Sequence, residues 1–219
     1  MSLVAERAAL VVLIHHLVYC QARCVANPKT QVIAPPLAAA LTALLAAVAT
    51  RDAAANQTLL TSALRDYATE ALTEGLVPIG QVLAAANGGS RMAPGYLRIF
   101  SKSPSELAQT PQKDQEDVFD KLVKALQDPQ TPKTLNDLVK AFVAHHALLK
   151  TAIATDKAAD QALTNAVANV GSTRASALDA LATADAELRK LFPRQRKKVA
   201  TFFPKGAKKG GKTPGPTGS

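Results

Sequence analysis

The sequence has no Trp, three Tyr and six Phe, and only two Cys and two Met among its 219 residues. So few aromatic rings leave a core to be built from Ala, Leu and Val. Those residues are small or helix-favouring, whereas sheets draw on β-branched and aromatic side chains. The expectation is all-α. Two cysteines are too few for a disulfide scaffold. Cys20 and Cys24 stand one helical turn apart, with Cβ atoms about 5–6 Å apart, and a disulfide needs roughly 3.5–4.5 Å. Reduced thiols in a reducing compartment follow.

Catalytic signatures are missing as well. The stretch NGGSRMAPG at 87–95 lacks the spacing and the Lys of a phosphate-cradling loop. There is no G-x-S-x-G, no H-E-x-x-H and no E-x-x-H pair of the di-iron bundle kind. Asp156 and Asp160, one turn apart, read as a solvated stripe on a helix. The chain is expected to be non-enzymatic and to carry no cofactor.

A secretion signal or membrane anchor finds little support near the start. Ala8 to Ile14 form an apolar run of seven that meets His15-His16 rather than a small-residue cleavage site. A membrane span needs about 20 apolar residues, and Glu6, Arg7, His15, His16, Gln21 and Arg23 interrupt that window. A cytoplasmic location and no integral membrane insertion are the expectations.

What is present is helical punctuation. A first helix runs from about Leu3 to Asn27 and stops at Pro28. Pro35-Pro36 opens a second, long helix that reaches Gly75. Between Gly75 and Ser103, Pro78, Gly80, NGGS and APG read as turns, with a short helix near Gln81–Ala86. Ser103-Pro104, Thr110-Pro111 and Thr131-Pro132 each place a hydroxyl at the N-cap and Pro at the first helical position. Glu106 completes a capping box at the first. These pairs read as caps rather than phosphorylation sites. From Pro132 to about Leu191, Leu135, Phe142, Leu149, Leu163 and Val170 recur at sevens, with Asp156 out of pattern. Leu138, Val139, Ile153, Ala159 and Val167 widen the stripe, and Gly171-Ser172 is expected to bend or break it. An ungapped match of 43–59 to 147–163 suggests a repeated helical hairpin. The fold expected is an elongated up-and-down bundle of four to five main helices, occupying 1–191 with a loop-rich interruption at 75–103.

The segment LIHHLVYCQARC at 13–24 and the pair His145-His146 raise a metal reading. His16, Cys20 and Cys24 are spaced i, i+4, i+8, and imidazole with thiolate suits zinc or copper. The helical wheel favours another reading. Leu10, Leu13, Leu17, Cys20 and Cys24 share the apolar side, and His15 and His16 fall towards Tyr19 and Arg23. The cysteines then serve as small core residues. A bundle binding metal through His16, Cys20, Cys24, His145 and His146 stands as the alternative.

The net charge of +9 belongs to the end of the chain. From Leu191 on, Arg194, Arg196, Lys197, Lys198, Lys205, Lys208, Lys209 and Lys212 meet no acidic residue. Without these eight, the body has about as many bases as acids. Residues 192–219 are read as a basic, Pro/Gly/Lys-rich tail, largely disordered. In its first part, Phe192, Val199, Phe202 and Phe203 alternate with cations. These rings are expected either to dock on the bundle or to stack on bases and enter a lipid interface. The composition of the last fifteen residues resembles that of linker-histone-like tails. The function expected is that of an interaction or structural bundle whose tail attaches weakly and without sequence preference to nucleic acid. A tail that only solubilises a protein-binding or self-associating bundle is the other alternative.

Overall fold

The computed structural model describes residues 3–204. Lys205, Lys208, Lys209, Lys212 and the expected disorder beyond Pro204 lie outside the described residues. Seven α-helices follow in order: α1 Leu3–Val25, α2 Ala34–Ala86, α3 Pro94–Leu97, α4 Pro104–Ala108, α5 Gln115–Leu126, α6 Asn136–Leu191 and α7 Arg196–Ala200. Among the described residues there is no strand. The class is all-α, with four helices of twelve or more residues.

The 75–103 interruption is shorter than the breakers suggested. Helix α2 runs through Gly75, Pro78 and Gly80 to Ala86. Leu72, Leu76, Ile79 and Leu83 keep helical spacing and are fully buried. Pro78 sits on the exposed side, where one missing hydrogen bond is outweighed by that burial. The helix ends where Gly88 and Gly89 take φ of 68° and 82° and Gly89 N–H donates to the Ala84 carbonyl at 2.8 Å. Gly171 likewise leaves α6 unbroken: its cost of about 1 kcal/mol is carried by a helix whose neighbouring Val170 is buried.

Of the three hydroxyl–Pro starts, one caps as expected. The Ser103 hydroxyl accepts from Glu106 N–H, and the Glu106 carboxylate accepts from Ser103 N–H at 2.8 Å. Thr131 instead donates its hydroxyl to the Ala125 carbonyl at the end of α5. Thr110 lies before a single 3₁₀ turn, Gln112–Asp114, and caps no helix. The aligned aspartates of the suggested repeat differ in setting. Asp52 is exposed beside Arg51, and Asp156 is buried.

The bundle divides into two compact units, residues 1–52 with 164–219 and residues 53–163. In the first, Leu10, Leu13, Leu17, Cys20 and Cys24 of α1 meet Leu37 and Leu44 of α2 and Val170, Ala177, Ala184 and Leu188 of α6. Thr30, fully buried, closes α1 by donating to the Cys24 carbonyl at 3.0 Å. Phe192, Val199 and Phe202 belong to the same core, so the chain is folded beyond Leu191. In the second unit, Leu72 to Leu83 of α2 pack with Tyr96, Phe100, Leu107, Phe119 and Leu126 and with Leu135, Phe142 and Leu149 of α6. Here α2 and α6 run antiparallel, since Thr61 meets Asp156 while Gly75 meets Phe142. Val167, assigned to the apolar stripe, is 47% exposed.

Among the described residues one helical stretch, Gln31–Ala86, is by length and composition apolar enough to cross a membrane. Its most apolar window has a mean hydropathy of 2.1 and is 28% buried. The charges that interrupt α1 are absent from that window.

Two glycine substitutions separate helix propensity from packing. Gly171→Ala meets no atom within 4 Å and should raise stability by about 1 kcal/mol. In Gly80→Ala the new methyl would come within 2.9 Å of the Pro104 ring, and the loss should be about 1–3 kcal/mol. Urea unfolding of both variants checks the opposite signs.

Candidate functional site

The C-terminal corner of the first unit is ordered by its aromatic residues. Helix α6 ends at Leu191, Arg194 takes φ of 62°, and the chain turns back into α7. A left-handed conformation at a non-glycine residue costs about 1–2 kcal/mol, and here the buried rings on either side hold it. Phe192 and Phe202 stack with centroids 6.0 Å apart. The Arg23 guanidinium of α1 lies 5.8 Å from the Phe202 ring and reaches Thr201 Oγ1 at 3.4 Å. Lys198 Nζ lies 4.1 Å from the Phe192 ring. Arg194, Arg196, Lys197 and Lys198 are exposed, and among the described residues no carboxylate pairs with any of them. With Arg189 they line a shallow concavity whose only acid is Asp185. Arg189 takes that acid at 2.7 Å.

The thiols and the His145-His146 pair fall in different units. Cys20 and Cys24 are fully buried in the first, beside half-buried His16. Burial, followed by the neighbouring Cys24, pushes the Cys20 thiol up to about 12. Burial raises Cys24 too, against hydrogen bonds from Cys20 and Thr30. Both are protonated at neutral pH, where a thiol is neither a good nucleophile nor a metal ligand. His15 is exposed, 6.4 Å from the rings of His16 and Tyr19. In the second unit His146 is buried, with Nε2 3.0 Å from Asp120 Oδ1, while half-buried His145 lies beside it in the chain. Lys150 shares Asp120 at 3.3 Å. Among the described residues no group of three or more His, Cys, Asp or Glu is arranged to hold a metal.

Sequence reasoning missed Asp156. Its carboxylate accepts from the hydroxyls of Thr61 and Ser62 at 3.0 Å and from Arg65 at 3.3 Å. Arg65 also donates to the Gln112 carbonyl. Burial alone would raise the carboxyl, but the two hydroxyls and the guanidinium outweigh it and hold it below its ordinary value. The available signal was the break in the heptad series itself. An acid at a core position of an otherwise apolar repeat marks a buried polar pair.

Two outcomes follow. Asp156→Ala leaves Arg65 and two hydroxyls without their acceptor and should cost about 3 kcal/mol, whereas Asp156→Leu combined with Arg65→Met should recover most of the loss. Denaturant unfolding of the three forms tests this. For His146, burial comes first and lowers its affinity for a proton below the ordinary 6.5, with Lys150 assisting and Asp120 opposing. The folded state therefore resists protonation that the unfolded state accepts. Stability is complete above pH 6.5 and declines as pH falls below it. His146→Gln should unfold with a flatter dependence between pH 7 and 5, and equal slopes would refute this role.

Compared with known protein families, with curated proteins and with solved structures, the chain matches none.

Proposed function

We propose that this protein is a non-enzymatic helical interaction module that attaches electrostatically, and without sequence preference, to nucleic acid. One observation carries the reading: in residues 191–204 every large apolar side chain but Leu191 is turned into the core or half-buried, and every cation is left outside without an acidic partner. A positioned cation with no internal partner keeps its charge for an external anion. The inward Phe rings are not available to stack on bases or enter lipid, so phosphate contact has to supply the affinity. Such contact carries no sequence information and weakens steeply with salt. Lys205, Lys208, Lys209 and Lys212 extend the row of charge along the chain.

Fluorescence anisotropy with a short duplex at several salt concentrations is the test. Each phosphate contact contributes about 0.9 to the slope of log K against log salt. Replacing Arg194, Arg196, Lys197 and Lys198 together by Gln should flatten the slope and weaken binding to every sequence alike. A chain ending at Pro204 should keep the contribution of those four. Absence of binding by the full chain at low salt would end the proposal.

A further inference from the structure

Helix α1 is apolar on two sides. Its core side is used, as Leu10, Leu17 and Cys24 repeat at sevens and are buried. One position on, Val11, Val18 and Val25 repeat at the same interval and are 65%, 46% and 52% exposed, with Val12 and Tyr19 beside them. The outer face runs from 11 to 25, about 20 Å at 1.5 Å per residue; it includes the exposed imidazole of His15, beside Tyr19, and the guanidinium of Arg23. Single exposed valines need no explanation, but three on one line of a helix do.

Charge identifies the occupant. Between Glu6 and Asp52 the sequence has no acidic residue. The cations near this face, Arg23 on α1 and Lys29 just after it, therefore meet no opposing carboxylate from their own segment. Arg23 also touches Thr201 and Phe202, so the end of α7, the helix that carries the exposed Arg196 and Lys197, meets α1. An apolar stripe with Tyr at its margin, flanked by Arg23 and Lys29 and near one acid, Asp185, that Arg189 already holds at 2.7 Å, matches the interface of an anionic bilayer: valines enter the acyl boundary, Tyr19 sits at headgroup depth and cations meet phosphates. Nucleic acid would leave the valines unused, and a second copy would bring the cations of two chains together.

We infer that the outer face of α1, with the adjoining cations of α7, docks onto the surface of anionic lipid membranes. The helix lies in the plane of the interface with its core side still packed on its own unit.

The absence of Trp supplies a clean probe. Val18→Trp in the full chain gives a single indole on the exposed face. Mixed with vesicles of one part phosphatidylglycerol to two parts phosphatidylcholine, it should shift its emission to the blue and co-float with the lipid. Vesicles of phosphatidylcholine alone should bind about tenfold more weakly or worse. Val11→Asp with Val18→Asp, both at exposed positions, should preserve the helical circular dichroism and abolish flotation. Unchanged flotation of that variant, or no blue shift with anionic vesicles, overturns the inference. So does a blue shift produced by raising protein concentration without lipid, which would assign the face to a second copy. A blue shift produced by duplex alone overturns it too. The Asp variant should bind duplex no worse than about twofold below the full chain, since α7 keeps its phosphate contacts. Failure here is thus separable from failure of the nucleic-acid reading.

Discussion

The structure depends on helices being able to approach one another closely. Ala152, Ala159, Ala166, Ala177 and Ala184 all lie buried on α6, spaced by seven except for one step of eleven, which keeps them on one side of the helix. With a methyl at the contact, helix axes settle towards the near end of their 8–10 Å range. Each buried methyl contributes only about 0.8 kcal/mol, so contact has to be extended to accumulate stability. This accounts for helices of 53 and 56 residues in a chain of this size. It also creates a difficulty: an alanine seam fits its neighbour almost equally well after a slip of one heptad. The Asp156 cluster removes that degeneracy. Its carboxylate is satisfied only when Thr61, Ser62 and Arg65 stand opposite, and any other register buries an unpaired charge.

The few large side chains are placed where alanine would leave gaps. In the unit formed by 53–163, Phe119 and Phe142 meet edge to face at 6.2 Å, and Tyr96 lies 5.4 Å from Phe100. Phe142 approaches so near the α2 backbone that a Cβ at Gly75 would stand 3.3 Å from its ring. In the unit formed by 1–52 and 164–219 the same work falls to Phe192 and Phe202, contributed by a segment whose composition reads as tail. Cutting the chain at Leu191 therefore removes core as well as charge. Substitution of cations is the sounder way to separate attachment from folding.

The helix class, the long C-terminal heptad and the core side of α1 were legible in the sequence because each rests on repetition, which averages over local exceptions. Leu10, Leu13, Leu17, Cys20 and Cys24 are buried as the helical wheel placed them. Local signals fared unevenly. Pro78, Gly80 and Gly171 all read as breakers, yet burial of the helix residues around them overrode a cost of about 1 kcal/mol at each glycine and about 3 kcal/mol at Pro78. Ser103 caps its helix and Thr131 bonds elsewhere, because the choice between them is made by α5, which the dipeptide does not contain. Asp156 was legible as an irregularity but not as a site, since its partners lie about 90 residues away in sequence.

An alanine-built core has a consequence for the surface. In this chain 47% of residues are hydrophobic, and methyl-to-methyl seams use up the small ones, leaving larger apolar side chains outside. Val11, Val12, Val18 and Val25 on α1 stand exposed on the side away from its buried Leu and Cys, and Leu59, Leu60 and Leu64 on α2 stand exposed while Thr61 and Ala68 are buried. On α2, exchanging Leu64 with Ala68 would favour folding, since a buried Leu contributes more than a buried Ala. Large apolar side chains left outside in this way create a surface that water solvates poorly. On α1, where Arg23 and Lys29 flank that surface and the sequence from 7 to 51 supplies no acid, the arrangement is the one expected of a face that leaves water for an anionic interface.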